Sequence, residues 1–174
     1  GRFYKSGLTN VVLPASVEEI VSTVFRYCKK LKEVDLSACI KLTSIADEAF
    51  VDCQQLSNVI LPDSITHIGD NAFLYCSSLK SIALPASLEE MGEGVFIFCK
   101  NLDSIDMSKV TKLKTIRRGF NGADTTIIPQ GVVEVEDNAL SRGGEKLFLP
   151  PTLKTFGKRN WSWKSIYLFA PIFN

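Results

Sequence analysis

Apolar and polar positions along this chain repeat with a period of about 23 residues. Leu31, Leu56, Leu79 and Leu102 open successive blocks, while Phe25, Phe50, Phe73 and Phe96 fill one column and Cys28, Cys53, Cys76 and Cys99 another. Two blocks align without a gap, LSNVILPDSITHIGDNAFLYCSS from Leu56 and LKSIALPASLEEMGEGVFIFCKN from Leu79. An earlier block runs from Leu8 to Lys30, with Pro14, Val17 and Ile20 in the matching places. A block of this size cannot bury its apolar side alone, so neighbouring blocks must stack as turns of a coil around one continuous core.

Alternation within a block predicts its elements. From Leu79 to Leu84, Ile82 and Leu84 fall on one side of an extended backbone and Ser81 and Ala83 on the other, which is a short strand. Pro85 lacks an N–H and ends the ladder at a corner. A second extended piece, Leu88 to Met91, leads to Gly92, and Gly69 holds the same place one block earlier; both are expected in turns with unusual dihedrals. From Ile68, the positions Ile68, Ala72, Phe73, Cys76 and Leu79 fall near helical spacing, which predicts one or two helical turns packing Phe73 and Cys76 inward. Strands of successive coils pair at about 4.8 Å, so seven or so copies make a rod or shallow arc of roughly 35 Å.

The blocks from Leu31 and Leu102 are variants in which LSACIKLTSI and MSKVTKLKTI insert two residues before Ile45 and Ile116. After Phe120 the blocks shorten, yet Pro129, Val132, Val135 and Leu140 keep the spacing of Pro62, Ile65, Ile68 and Phe73, and Pro150, Leu153, Phe156 and Trp161 repeat it. Residues 8–174 thus read as a single solenoid domain, with 1–7 as a lead-in and 141–174 as degenerate repeats that cap the end.

The motif LxxIxLPxSLxxIGxxAFxxC, read in Leu56–Cys76 and Leu79–Cys99, resembles the BspA-type leucine-rich repeat, and the resemblance covers nearly the whole chain from about Leu8. It implies a leucine-rich-repeat solenoid, a right-handed coil of short parallel β-strands with short helical turns, in about seven repeats. It also implies a secreted or cell-surface binding protein, linked to adhesion to host proteins, host matrix or other cells, and it brings no catalytic residues with it. The pattern departs at Ser37 and Ser108, where proline is expected.

Composition narrows the function. The 174 residues are 45% hydrophobic and 22% charged with a net charge of +1, so no global field steers nucleic acid or an anionic membrane. No apolar run approaches the roughly 20 residues of a membrane span, and the opening GRFYKSG holds no apolar signal core. Five cysteines leave at least one thiol unpaired in any intramolecular scheme.

The cysteine column reads as small buried hydrophobes rather than a metal site, because the thiols line up along an axis with no histidine among them. Cys39 lies outside that column and is expected as a surface thiol. His67, the only histidine, falls in an outward pair with Thr66, and no nucleophile-elbow sequence such as GxSxG accompanies it. Glutamates 18, 19, 89, 90 and 134 are interrupted by Thr43–Ser44, Thr66–His67 and Lys114–Thr115, so they form a solvated face. No phosphate loop, dinucleotide fingerprint or EF-hand spacing is present, and no cofactor or metal is expected. The chain reads as a non-enzyme.

The outward strand positions form a wall that the core does not need. One column is Asn10, Glu33, Asn58, Ser81, Ser104, Thr125, Lys146, Ser165; its neighbour is Val12, Asp35, Ile60, Ala83, Asp106, Ile127, Phe148, Tyr167, apolar toward its end. Seven of the 17 aromatics (Phe148, Phe156, Trp161, Trp163, Tyr167, Phe169, Phe173) fall in this last region. Between Arg142 and Lys164 six basic side chains face Glu145 alone, a local net of +5. Phe156 and Trp161 sit in core columns and are assigned to packing. Ile127, Phe148, Tyr167 and Lys146 are the candidate contacts on the sheet, with Lys158 and Arg159 as a basic site for sulfated glycan or acidic lipid. The resulting expectation is a recognition or adhesion module for a protein or glycan ligand, with a structural spacer as the alternative.

Overall fold

The computed structural model describes residues 3–121, 123–160 and 162–168. Among them, the strands of the first side of each coil are β1 (Asn10–Val12), β2 (Glu33–Asp35), β4 (Asn58–Ile60), β6 (Ser81–Ala83), β8 (Ser104–Asp106), β10 (Thr125–Ile127), β12 (Gly144–Phe148) and β14 (Trp163–Tyr167). The second side is made by β3 (Ser44–Ile45), β5 (His67–Ile68), β7 (Glu90–Met91), β9 (Thr115–Ile116), β11 (Glu134–Val135) and β13 (Thr155–Phe156). Pairing is parallel throughout, in the hydrogen-bonded runs β1-β2-β4, β6-β8 and β10-β12-β14 on one side and β3-β5-β7 and β9-β11-β13 on the other. Each coil from β2 to β12 therefore adds one strand to each side, and in the first coil Ile20 makes an isolated parallel bridge to Ile45. The inward residues Val34, Val59, Ile82, Thr126 and Leu147 of the first-side strands are buried, and Ile105 of β8 is partly buried against the same core.

The corners show why the variant blocks close. Where proline is missing, the Ser37 N–H donates to Asp35 Oδ1 and the Ser108 N–H to Asp106 Oδ1, both at 2.9 Å. An aspartate two residues upstream thus makes the bend that proline makes elsewhere. The longer corner also carries Cys39 inward: it is buried, with Sγ 3.5 Å from the Pro14 carbonyl oxygen, and is not the surface thiol expected from its place outside the column. The insertion adds enough chain for Leu36, Cys39 and Leu42 all to turn into the core.

The third side differs from the sequence expectation. No helix forms there among the described residues; the segment carrying Phe73 and Cys76 is a series of turns. Backbone N–H groups alternate between local and neighbouring-coil acceptors: Leu74 and Cys76 donate to Asn71 and Phe73, while Asn71, Phe73 and Tyr75 donate to Glu93, Val95 and Ile97 of the next coil. Left-handed residues at Asn71 (φ 56°) and Tyr75 (φ 62°) produce the alternation. A single helical turn pays the nucleation cost for few bonds, and the adjacent coil offers partners that an isolated helix lacks. The apolar spacing near 3.6 thus arises from two left-handed residues four apart, and the outcome is a third ladder.

Along the axis, Phe3, Phe25, Phe50, Phe73 and Phe96 stack with centroids 5.2–5.8 Å apart and rings within 12° of parallel. Phe120 then meets Phe96 edge-on at 76°. Such pairs add about 0.5–1.5 kcal/mol each beyond the area they bury. Gly69 and Gly92 have ordinary φ, contrary to the expectation of unusual dihedrals. They are small because a Cβ would lie 2.5 and 2.6 Å from the backbone nitrogens of Asp47 and Asp70 in the preceding coil. Beyond Phe120 side chains replace missing backbone: the buried Asn160 accepts from Leu140 N–H at 2.8 Å and donates to the Glu136 and Gly157 carbonyls.

Candidate functional site

Register builds the sheet-side site. Ile127 pairs with Phe148 and Phe148 with Tyr167, so three apolar side chains stand in one row across β10, β12 and β14. Leu147, between Lys146 and Phe148, is fully buried, and period-two alternation therefore turns both neighbours outward. The Phe148 and Tyr167 rings stack at 4.7 Å and 13°, and Tyr167 is 43% exposed. Lys146 is exposed in the adjacent row, between Thr125 and Ser165.

The rest of the basic cluster disperses. Lys164 pairs with Glu145, and that hydrogen bond raises the lysine pKa above its ordinary value. Arg142 turns away from the sheet to bond the carbonyls of Cys99, Lys100 and Leu102. Lys158 and Arg159 lie in the turn after β13, exposed, where the Lys158 N–H is held by Asp137 Oδ1 at 2.6 Å and Arg159 has φ 60°. The structure therefore brings Ile127, Phe148, Tyr167 and Lys146 together and places Lys158 and Arg159 on another side of the coil. Phe156, assigned to packing by its column, is 38% exposed, because β13 ends its ladder and no described coil covers it. Trp161, Phe169 and Phe173 lie outside the described residues.

Elsewhere on the sheet side polar residues partner one another. Glu33 accepts from Asn10 and Asn58, at 3.1 and 2.9 Å, and Asp35 and Asp106 are engaged in their corners. The hydroxyls of Ser37 and Ser108, and after them their backbone N–H groups, hold both aspartates below the usual carboxylate range.

The second side carries a shallow depression of about 290 Å³ around His67, Glu90 and Arg117. Its polar groups engage one another: Glu90 lies 3.4 Å from His67 Nε2 and 2.9 Å from Arg117 Nη2, and Thr66 Oγ1 lies 2.7 Å from His67 Nδ1. His67 is exposed, as its column predicts. The cysteines are all free and buried, and burial pushes the thiols of Cys53 and Cys76 far up and that of Cys99 up to about 12. Thiols so held do not supply a nucleophile. Among the described residues no three His, Cys, Asp or Glu side chains converge on a metal position, and no helix is long and apolar enough to cross a membrane.

Two exposed aromatics on the third side escaped the sequence reading. Tyr75 and Phe98 stack at 4.6 Å and 12° while remaining 45% and 48% exposed. The signal was available, since Tyr27, Tyr75 and Phe98 each precede a column cysteine and so share one place in the repeat.

A solenoid of this construction has known counterparts. The chain is similar to a leucine-rich repeat protein of Bacteroides ovatus, with a TM-score of 0.73 at 22% identity over 85% of this chain and 41% of that one. It is similar also to the T. pallidum leucine-rich repeat protein, with a TM-score of 0.61 at 28% identity over 89% of this chain and 63% of that one. The chain thus spans less than two thirds of either. No curated protein matches it. The sequence profile of the BspA type leucine rich repeat region matches residues 1–122 in 6 copies, the stretch that holds the phenylalanine stack and the cysteine column. By repeat sequence and by fold alike, this chain belongs to the BspA-type leucine-rich repeat family.

Proposed function

We propose that this chain is a non-enzymatic recognition module that binds a protein or glycan through its first-side sheet, and that it works outside the cell or at its surface in attachment. Leucine-rich-repeat proteins are in general interaction or scaffold modules, and family membership supports that broad class. The observation that carries the reading is the Ile127–Phe148–Tyr167 row, a stacked apolar edge facing solvent from strands whose core residues lie on the opposite face.

Recognition here is rigid presentation. The ladder fixes side-chain positions beforehand, so little ordering entropy is lost when a partner docks. Lys146 beside the rings adds a point charge for orientation. Phe148→Ala with Tyr167→Ala is expected to weaken capture from an array of purified matrix proteins and glycans, while unfolding free energy shifts by no more than about 1 kcal/mol. Unchanged capture by the folded double variant would remove this row from the site.

A further inference from the structure

The geometry points to a second binding site, on the third side of the coil, that takes one acidic pyranose residue of an anionic glycan between the open face of Phe98 and the cations Lys100 and Arg142. It is separate from the sheet-side row and independent of it.

The first observation is misplaced strain. Tyr27, Tyr75 and Phe98 are left-handed, with φ of 61–62°, in a place that other coils give to Asp52 and Asn121. Asp and Asn adopt that conformation readily, whereas a bulky aromatic does so at a cost. Burial does not offset it, because the Tyr75 and Phe98 rings stay about half exposed. Strain held at exposed rings directs attention to a task outside the core.

The second observation is a vacancy in the stack. Phe98 uses one ring face against Tyr75; the other faces the next coil, where the shortened stretch from Gly119 puts Asn121 in place of a ring. The result is a notch of about 260 Å³ lined by Phe96, Phe98, Cys99, Lys100, Asn121 and Arg142. That lies below the roughly 300–1,000 Å³ of drug-sized pockets, and suits a single ring rather than a folded segment.

The third is charge without a counter-charge. Arg142 Nη1 donates to the Cys99 and Leu102 carbonyls at 3.2 Å and Nη2 to the Lys100 carbonyl at 3.1 Å, which fixes the guanidinium without neutralising it. Among the described residues no carboxylate forms an ion pair with Arg142 or Lys100. A flat apolar face beside a fixed cation complements a sugar that offers C–H groups on one face and a carboxylate at its edge.

The test titrates the chain, at low salt, with an unsulfated hyaluronan hexasaccharide by calorimetry and amide NMR, with cellohexaose and a hexaglutamate peptide as controls. Phe98→Asn keeps a residue that tolerates the left-handed backbone, and its melting curve reports that it folds. Saturable hyaluronan binding is expected, with amide shifts centred on Phe98, Lys100 and Asn121 and roughly tenfold weaker affinity in Phe98→Asn. Lys100→Gln should weaken binding and flatten its salt dependence. Cellohexaose should bind at least about tenfold more weakly. Absence of saturable hyaluronan binding, parental affinity in folded Phe98→Asn, or equally tight binding of hexaglutamate would overturn the assignment.

Discussion

Cys76 Sγ lies 3.2 Å from the carbonyl oxygen of Phe50, one coil back, and donates its proton there. The relation repeats: Cys53 donates to Phe25 and Cys99 to Phe73, each at 3.1 Å. The two sequence columns that define the repeat are therefore chemically joined, since each thiol satisfies the backbone of the preceding stacked phenylalanine. Cysteine suits the place because it is small, apolar and still a weak donor.

Removing that thiol in Cys76→Ala should cost about 1–2 kcal/mol, the sum of a lost weak hydrogen bond and a small cavity, measured by denaturant unfolding. The folded protein's thiols should be silent to a disulfide reagent and react only on unfolding. Folded-state burial raises the Cys99 pKa to about 12, above the unfolded value near 8.5. The unfolded chain then loses its proton first as pH rises, so stability should be level below about pH 8 and fall from there toward pH 12. A flat alkaline profile would show that these thiols do not stay protonated in the fold.

Gly92→Ala places a Cβ 2.6 Å from the Asp70 backbone nitrogen of the preceding coil. Backbone cannot retreat as a flexible side chain would, so a loss of about 1–3 kcal/mol in unfolding free energy is expected. Gly7, with nothing within 4 Å of the same position, is the control that should tolerate alanine.

Arg142 spans from a shortened coil to carbonyls more than 40 residues back, bracing the junction where the repeat begins to decay. Arg142→Ala should lower stability by about 2 kcal/mol. Arg142→Lys should recover only part of this, since an ammonium has no planar fork for three carbonyls. Chemical denaturation of the three proteins side by side checks both statements.

Much of the architecture was legible because period and column are direct records of stacking. The leucine, phenylalanine and cysteine columns gave the coil, its core and its strand register, and the outward row at Ile127, Phe148 and Tyr167 followed from alternation alone. Conformation at single residues was not legible. Left-handed backbone at Tyr75 or Phe98 leaves no compositional mark when the residue is aromatic, so the third side read as a helix. Gly92 looked like a residue chosen for its dihedrals when it is one chosen for its missing Cβ. The basic run from Arg142 to Lys164 appeared as one patch because sequence proximity hides which side of the coil each residue reaches. Cys39 looked exposed because a longer corner gives no hint that its extra chain turns inward.

The central claim is that hydrogen bonds on the third side, with no helix there among the described residues, join successive coils as the two strand ladders do in their paired runs. Native-state hydrogen exchange of individual amides tests it most directly. Phe50, Asp52, Phe73 and Tyr75, whose N–H groups reach Ala72, Leu74, Val95 and Ile97 of the neighbouring coil, should exchange at the slow rate of the strand amides and lose protection together. Fast exchange at these four positions, or protection with the i to i−4 pattern of a helix, would contradict the account.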